Sequence, residues 1–184
     1  MQMEERTLAE GCRNGDGAAQ RELYDRYAGR LLAVCLRYAG DRATAEDLLH
    51  DAFLKIYGAF SKFEYRGAGS LRAWMERVTV NVALEWLRSR NKLSMTALDE
   101  GRQLPDIPEP DPSELARVPR DVLMQFVSEL PEGYRAVFNL YCIEEYSHRE
   151  IAQMLGINEK SSSSQLFRAR AMLARRIRAY LETH

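Results

Sequence analysis

Residues 147–173 read SHREIAQMLGINEKSSSSQLFRARAML, and this stretch decides how the rest of the chain is understood. Ser147 followed three residues later by Glu150 is a capping box, and it opens a helix with Ile151, Ala152 and Leu155 inward. Gly156 permits the sharp turn that ends this helix, and Ile157 plugs the corner. Asn158 can cap a second helix with the inward stripe Leu166, Ala169, Leu173 and Ile177. Small Ala152 suits a close helix crossing. This is the spacing of a helix-turn-helix, whose second helix lays its N-terminal half in the DNA major groove. The outward side of that half is expected to carry Ser161, Ser162, Ser163, Ser164, Gln165, Phe167 and Arg168. Short hydroxyls allow close approach, Gln165 and Arg168 suit base edges or phosphate, and Phe167 suits a thymine methyl. An αα-hairpin with a solvated serine-rich turn is the plainer alternative.

Working back from this motif, Val122, Phe126, Val127 and Leu130 line one helix. Tyr134, Val137, Phe138 and Tyr141 line another, with Pro131 suited to its first turn. Five of the six prolines fall between 105 and 119. Proline fixes φ and lacks a backbone donor, so this stretch is expected to be an extended linker over about 93–119. Before it, three runs recur at helical spacing: Leu23 to Tyr38, Ala45 to Phe60 and Leu71 to Trp86. Gly40 ends the first and Asp41 caps the second, while the segment 65–70 separates the second from the third, with Ser70 available as a cap. A short helix near 4–14 completes a bundle. The expected fold is all-α: two small helical domains, 1–92 and 120–184, joined by an acidic, proline-rich, flexible linker, 93–119.

Charge follows the same division. Residues 61–92 carry a net charge of +4, residues 95–118 of −4 and residues 158–178 of +5, although the whole chain is only −1. Two basic zones flanking an acidic spacer suggest two phosphate-facing surfaces and one segment kept off phosphate. With 46% hydrophobic and 29% charged residues the chain is ordinary for a globular protein. No apolar run approaches the ~18 residues of a membrane span, and the first residues lack the apolar core of a secretory signal, so a cytoplasmic protein without membrane insertion is expected. Cys12, Cys35 and Cys142 make no CxxC pair, and His50, His148 and His184 make no HExxH or HxH pair. There is no phosphate loop and no nucleophile elbow, so neither an enzyme nor a cofactor or metal is expected.

The run LPEGYRAVFNLYCIEEYSHREIAQMLGINEKSSSSQLFRARAML resembles region 4 of bacterial sigma factors. The runs LYDRYAGRLLAVCLRYAGDRATAEDLLHDAFLKIYGAF and FEYRGAGSLRAWMERVTVNVALEWLRSR resemble region 2. Two such regions with no folded domain between them resemble the extracytoplasmic-function group of the sigma-70 superfamily. The resemblance implies core RNA polymerase and promoter DNA as partners, and in many members an anti-sigma factor. It implies that residues 45–53 belong to the helix that docks on polymerase, with Asp47, His50, Asp51 and Leu54 exposed. It also implies that Phe63, Tyr65, Arg66 and Ser70 belong to the loop receiving a flipped base of the −10 element. Asn81 is then the base reader on the following helix, with Arg77 and Arg88 holding the strand. Read without the resemblance, Phe63 and Tyr65 are core residues. In the second domain Ser163, Ser164, Gln165, Phe167 and Arg168 fall where the family reads the −35 element. Ser163 and Gln165 are neutral where many members are basic, and Ser162 stands where many carry an apolar residue. The linker resembles the segment passing through the polymerase cleft. The competing class is a two-domain helix-turn-helix repressor or activator that works without polymerase.

Overall fold

The computed structural model describes residues 3–91 and 110–183. Most of the expected linker, from 93 to 109, lies outside the described residues. The described residues are helical with no strand, as the 3.6-residue periodicity predicts, and the chain divides into two compact units, Met1–Glu85 and Trp86–His184.

In the first unit α1 (Glu5–Arg13) packs on α2 (Gly17–Ala39), and α2 packs along α3 (Arg42–Ala59). Asp16 caps α2 by accepting from the Ala18 N–H. Gly40 ends α2 at φ 83°, a left-handed value that a side chain would strain. Asp41 then accepts from the Thr44 N–H and starts α3. A 3-10 turn at Phe60–Lys62 leads into the segment before α4 (Ser70–Asn91), a helix that runs on past Glu85, the last residue of this unit. The core is built by Leu8, Leu23, Leu31, Tyr38, Ile56, Phe60, Leu71 and Met75, each nearly or wholly buried. Thr79 is also buried, its hydroxyl donating to the Met75 carbonyl and so satisfying itself within the helix.

The second unit holds α5 (Pro112–Ala116), α6 (Arg120–Ser128), α7 (Glu132–Cys142), α8 (His148–Leu155) and α9 (Glu159–Thr183). α9 is the axis on which α5, α6, α7 and α8 pack. Val127, Leu130, Tyr134, Ala169 and Leu173 form one core cluster, flanked by Phe126, Phe138 and Met172. Two expectations change. The end of the expected linker is not extended: Asp111 accepts from the Ser113 N–H, Glu114 reaches back to the Asp111 N–H, and Pro112 takes a first-turn position where its missing donor costs nothing. The sequence predicts four shorter helices after the linker, whereas the last runs 25 residues, because its inward stripe serves four partners in turn.

Candidate nucleic-acid interface

The turn between α8 and α9 forms as its residues dictate. Ser147 and Glu150 cap each other, and the donors from Ser147 hold the Glu150 carboxyl below its usual range. Gly156 sits at φ 71°, and the side-chain oxygen of Asn158 accepts from the Ser161 N–H at 2.7 Å. Ser163, Ser164 and Phe167 are exposed, Phe167 to 53%, which leaves a large apolar ring facing solvent on a helix otherwise rimmed by hydroxyls.

Three neighbours of these residues are not placed as expected. Ser162 is fully buried, because its hydroxyl lies 2.9 Å from His148 Nδ1 in α8. The imidazole of His148 in turn stacks on Tyr141, ring centres 4.6 Å apart, and Arg170 lies over the other ring at 5.8 Å. Tyr141 is therefore an exposed edge that holds His148, not a core residue. Gln165 turns its amide oxygen toward Gly133 of α7, where that atom is buried with no hydrogen-bond partner. A Cβ at position 133 would stand 2.8 Å from this oxygen, so the glycine makes room for the close approach. Arg168 is half-buried, its Nη1 donating to the Tyr134 hydroxyl at 3.3 Å. One structural residue escaped the sequence reading. Arg135 is buried and its Nη1 donates to the carbonyls of Ser128 and Leu130, at 2.7 and 3.0 Å, fastening the α6–α7 turn. A buried arginine of this kind leaves no periodic signal.

In the first unit Asp47, His50, Asp51 and Leu54 recur at intervals of three and four on α3, and all four are exposed. Leu54 is 59% exposed, an apolar side chain framed by two carboxylates and an imidazole. Behind this face Phe53 is buried between Tyr24, ring centres 4.7 Å apart, and Tyr57, at 5.7 Å.

The loop before α4 places its candidates unequally. Phe63 is 3% exposed, its ring 4.9 Å from Trp74 and 6.2 Å from Phe60. It is a core residue whose face is already covered, which corrects the expectation that it stacks on a base. Tyr65 is 37% exposed and Arg66 is exposed, paired with Glu64 on the surface at 3.1 Å. Ser70 does not cap α4 as expected. Its hydroxyl donates to the Gly67 carbonyl at 2.7 Å and accepts from the Arg66 N–H at 3.2 Å, closing the loop on itself. The first turn of α4 is capped instead by Glu5 of α1, which accepts from the Gly69 and Leu71 N–H groups at 2.8 Å each. Arg77 and Asn81 are exposed one helical turn apart, and Arg88 follows seven residues later on the same helix. Among the described residues no group of histidine, cysteine and carboxylate side chains is arranged to hold a metal, and no helix is long and apolar enough to cross a membrane.

α8, the left-handed turn at Gly156 and α9 form a helix-turn-helix in the second unit. Residues 23–93 match the family model of sigma-70 region 2, and residues 120–173 match that of sigma-70 region 4. The chain is 30% identical over 176 residues to the extracytoplasmic-function RNA polymerase sigma factor SigE of Mycolicibacterium smegmatis, covering 92% of this chain and 65% of that one. It is 27% identical over 152 residues to SigM of Bacillus subtilis, covering 83% of this chain and 91% of that protein. It is 26% identical over 185 residues to the sigma-E factor of Haemophilus influenzae, covering 96% of each. The chain thus spans 65% of the first of these relatives and more than nine tenths of the other two. The chain belongs to the sigma-70 family, in its extracytoplasmic-function group, a family of transcription-initiation factors and not of enzymes.

Proposed function

We propose that this chain binds core RNA polymerase and directs promoter-specific initiation, reading a −35 element with α9 and capturing melted −10 DNA beside α4. The observation that carries this reading is the outward set Ser163, Ser164 and Phe167 on the second helix of a properly capped helix-turn-helix. It stands in a chain whose other part matches region 2. Short hydroxyls and one exposed ring suit close entry into a groove and a methyl contact. In region 2, extrusion of a base costs a few kcal/mol, which stacking on Tyr65 and an edge hydrogen bond to Asn81 offset. Arg66, Arg77 and Arg88 supply phosphate contacts along the same strand. Asp47, His50, Asp51 and Leu54 form the surface for polymerase, an acidic rim around an apolar point that suits a basic partner. Residues 1–92 then act as the polymerase and −10 domain, 120–184 as the −35 domain and 93–119 as the tether, working where the polymerase works, in the cytoplasm. A repressor or activator that ignores polymerase is disfavoured by the region 2 match. Runoff transcription with purified core RNA polymerase and a library of promoter fragments tests the reading: defined transcripts that require this chain are expected. Duplex binding with no transcript from any template would support the repressor instead.

A further inference from the structure

We propose that α1 positions the −10 reading loop, with Glu5 and Arg13 clamping its two ends so that base capture depends on side chains that never touch DNA. This rests on the function proposed above for residues 63–81. At the far end of the loop the Glu5 carboxylate accepts from two backbone donors, the Gly69 N–H on Oε2 and the Leu71 N–H on Oε1, at 2.8 Å each. At the near end Arg13 donates from Nε to the Phe60 carbonyl at 3.3 Å and from Nη2 to the Phe63 carbonyl. The clamped backbone includes Gly67 at φ 116° and Gly69 at φ 85°, left-handed positions with many alternatives in a free chain. Two external anchors and the Ser70–Gly67 bond reduce those alternatives to one.

The anchor is itself fixed. Leu8 and Cys12 of α1 are buried, and Gly11 lets α1 approach α2 so closely that a Cβ there would stand 2.6 Å from the Ala19 Cβ. The Met3 N–H donates to Glu22, and Arg26 donates to the Met3 carbonyl, both at 2.8 Å. Glu5 also occupies, with a negative charge, the helix N-terminus that would otherwise attract a phosphate. The DNA backbone is thereby left to arginine side chains, and the loop is held by contacts within the protein.

The test uses the full chain with core RNA polymerase and a duplex pool whose pre-opened bubble carries a randomised non-template strand. Sequencing the bound fraction gives a base preference at each bubble position. Glu5→Gln keeps the side-chain shape but loses one acceptor and the charge. It is expected to flatten the preference about fivefold at the positions the loop reads, the scale of one lost cap. Core affinity and preference for −35 duplex should be unchanged, and hydrogen exchange at the Gly69 and Leu71 amides should accelerate. Arg13→Gln should act on the same positions. Tyr65→Ala, run in parallel, separates the two levels of inference. If Tyr65→Ala flattens the preference and Glu5→Gln leaves it intact, the clamp is overturned while the loop reading stands. If neither changes it, both are overturned. Equal loss of core affinity, −35 preference and bubble preference on Glu5→Gln would show a merely structural residue and would also overturn the proposal.

Discussion

His148 Nδ1 lies 2.9 Å from the Ser162 hydroxyl oxygen, joining the first helix of the helix-turn-helix to the second through a residue with no exposed surface. Because Ser162 sits between Ser161 and Ser163, this bond fixes the rotation of α9 that turns Ser163 and Ser164 outward. Ser162→Ala is expected to cost about 1 kcal/mol, the net worth of one hydrogen bond. His148→Ala should cost more, since it also removes the stack on Tyr141, worth roughly 0.5–1.5 kcal/mol. The double variant should cost less than the sum, by about 0.5–1.5 kcal/mol in a denaturation cycle. Strict additivity would show that the pair does not interact.

Asp47 and Asp51 lie one turn apart on the exposed face of α3. Asp47→Arg with Asp51→Arg is expected to leave stability within about 0.5 kcal/mol, as for surface substitutions. It should weaken binding to core RNA polymerase markedly at low salt and less at high salt. A titration with fluorescently labelled chain checks both. Unchanged core affinity would remove this face from the interface.

Arg168 is held by the Tyr134 hydroxyl, which favours a phosphate role over base reading. Arg168→Ala should lower affinity for cognate and scrambled −35 duplexes together and reduce the salt slope by about one unit. Tyr134→Phe, which releases the guanidinium, should cost less affinity than Arg168→Ala. If Arg168→Ala instead erases the difference between cognate and scrambled duplex, Arg168 reads a base.

Stability should decline on both flanks of pH. Burial pushes the Cys12 thiol from 9.0 to about 11 and the Cys35 thiol from 9.0 to about 12, and it pushes the Tyr57 hydroxyl from 10.0 to about 12. The folded state therefore keeps protons that the unfolded state releases, so stability falls as pH rises from about 9 toward 12. On the acid side, hydrogen bonds from Ser147 hold Glu150 low and those from Ser113 hold Asp111 low. Their contributions are present above the ordinary carboxyl values and are lost as pH falls through the lowered ones. At pH 8 a thiol reagent should modify exposed Cys142 well before buried Cys12 and Cys35. Melting curves across pH and a labelling time course measure these effects, and equal labelling of all three thiols would contradict them.

What was legible in the sequence was local. Gly40 with Asp41, Ser147 with Glu150, and Gly156 with Asn158 declare turns and caps within a few residues, and the structure follows each. On α3 periodicity predicts the inward run from Ala45 to Phe60, and the family resemblance adds the exposed set Asp47, His50, Asp51 and Leu54. What was not legible depends on distant partners. The true cap of α4, Glu5, stands 64 residues from Gly69 and 66 from Leu71, so no spacing rule reaches it. The family resemblance sets Ser162 apart from its neighbouring serines, but the partner of its hydroxyl, His148, lies fourteen residues away on another helix. Phe63 and Tyr65 are similar rings two residues apart, and the positions of Phe60 and Trp74 decide which is covered. Pro112 lies in a proline-rich stretch that predicts extended chain, whereas at a helix start proline fits.

That difference between Phe63 and Tyr65 separates folding from recognition in the loop. Phe63 is buried against Phe60 and Trp74, so Phe63→Ala should destabilise the first unit by roughly 3–5 kcal/mol. Any loss of promoter opening would follow from that. Tyr65 and Asn81 are exposed, so Tyr65→Ala and Asn81→Ala should leave stability nearly unchanged and act on DNA alone. The two effects separate on promoters with and without a mismatched bubble at the −10 element. Pre-opening supplies the unpairing cost, so a pure melting defect is rescued by the bubble. A defect in holding the base persists there, at about 1–3 kcal/mol for a lost stack on Tyr65, and for Asn81 it depends on which base is offered. Persistence is the expected result for both, because stacking and an edge hydrogen bond act after the strands part. Permanganate footprints showing equal opening and equal base preference for parent and variants would return Tyr65 and Asn81 to the ordinary surface of the helix bundle.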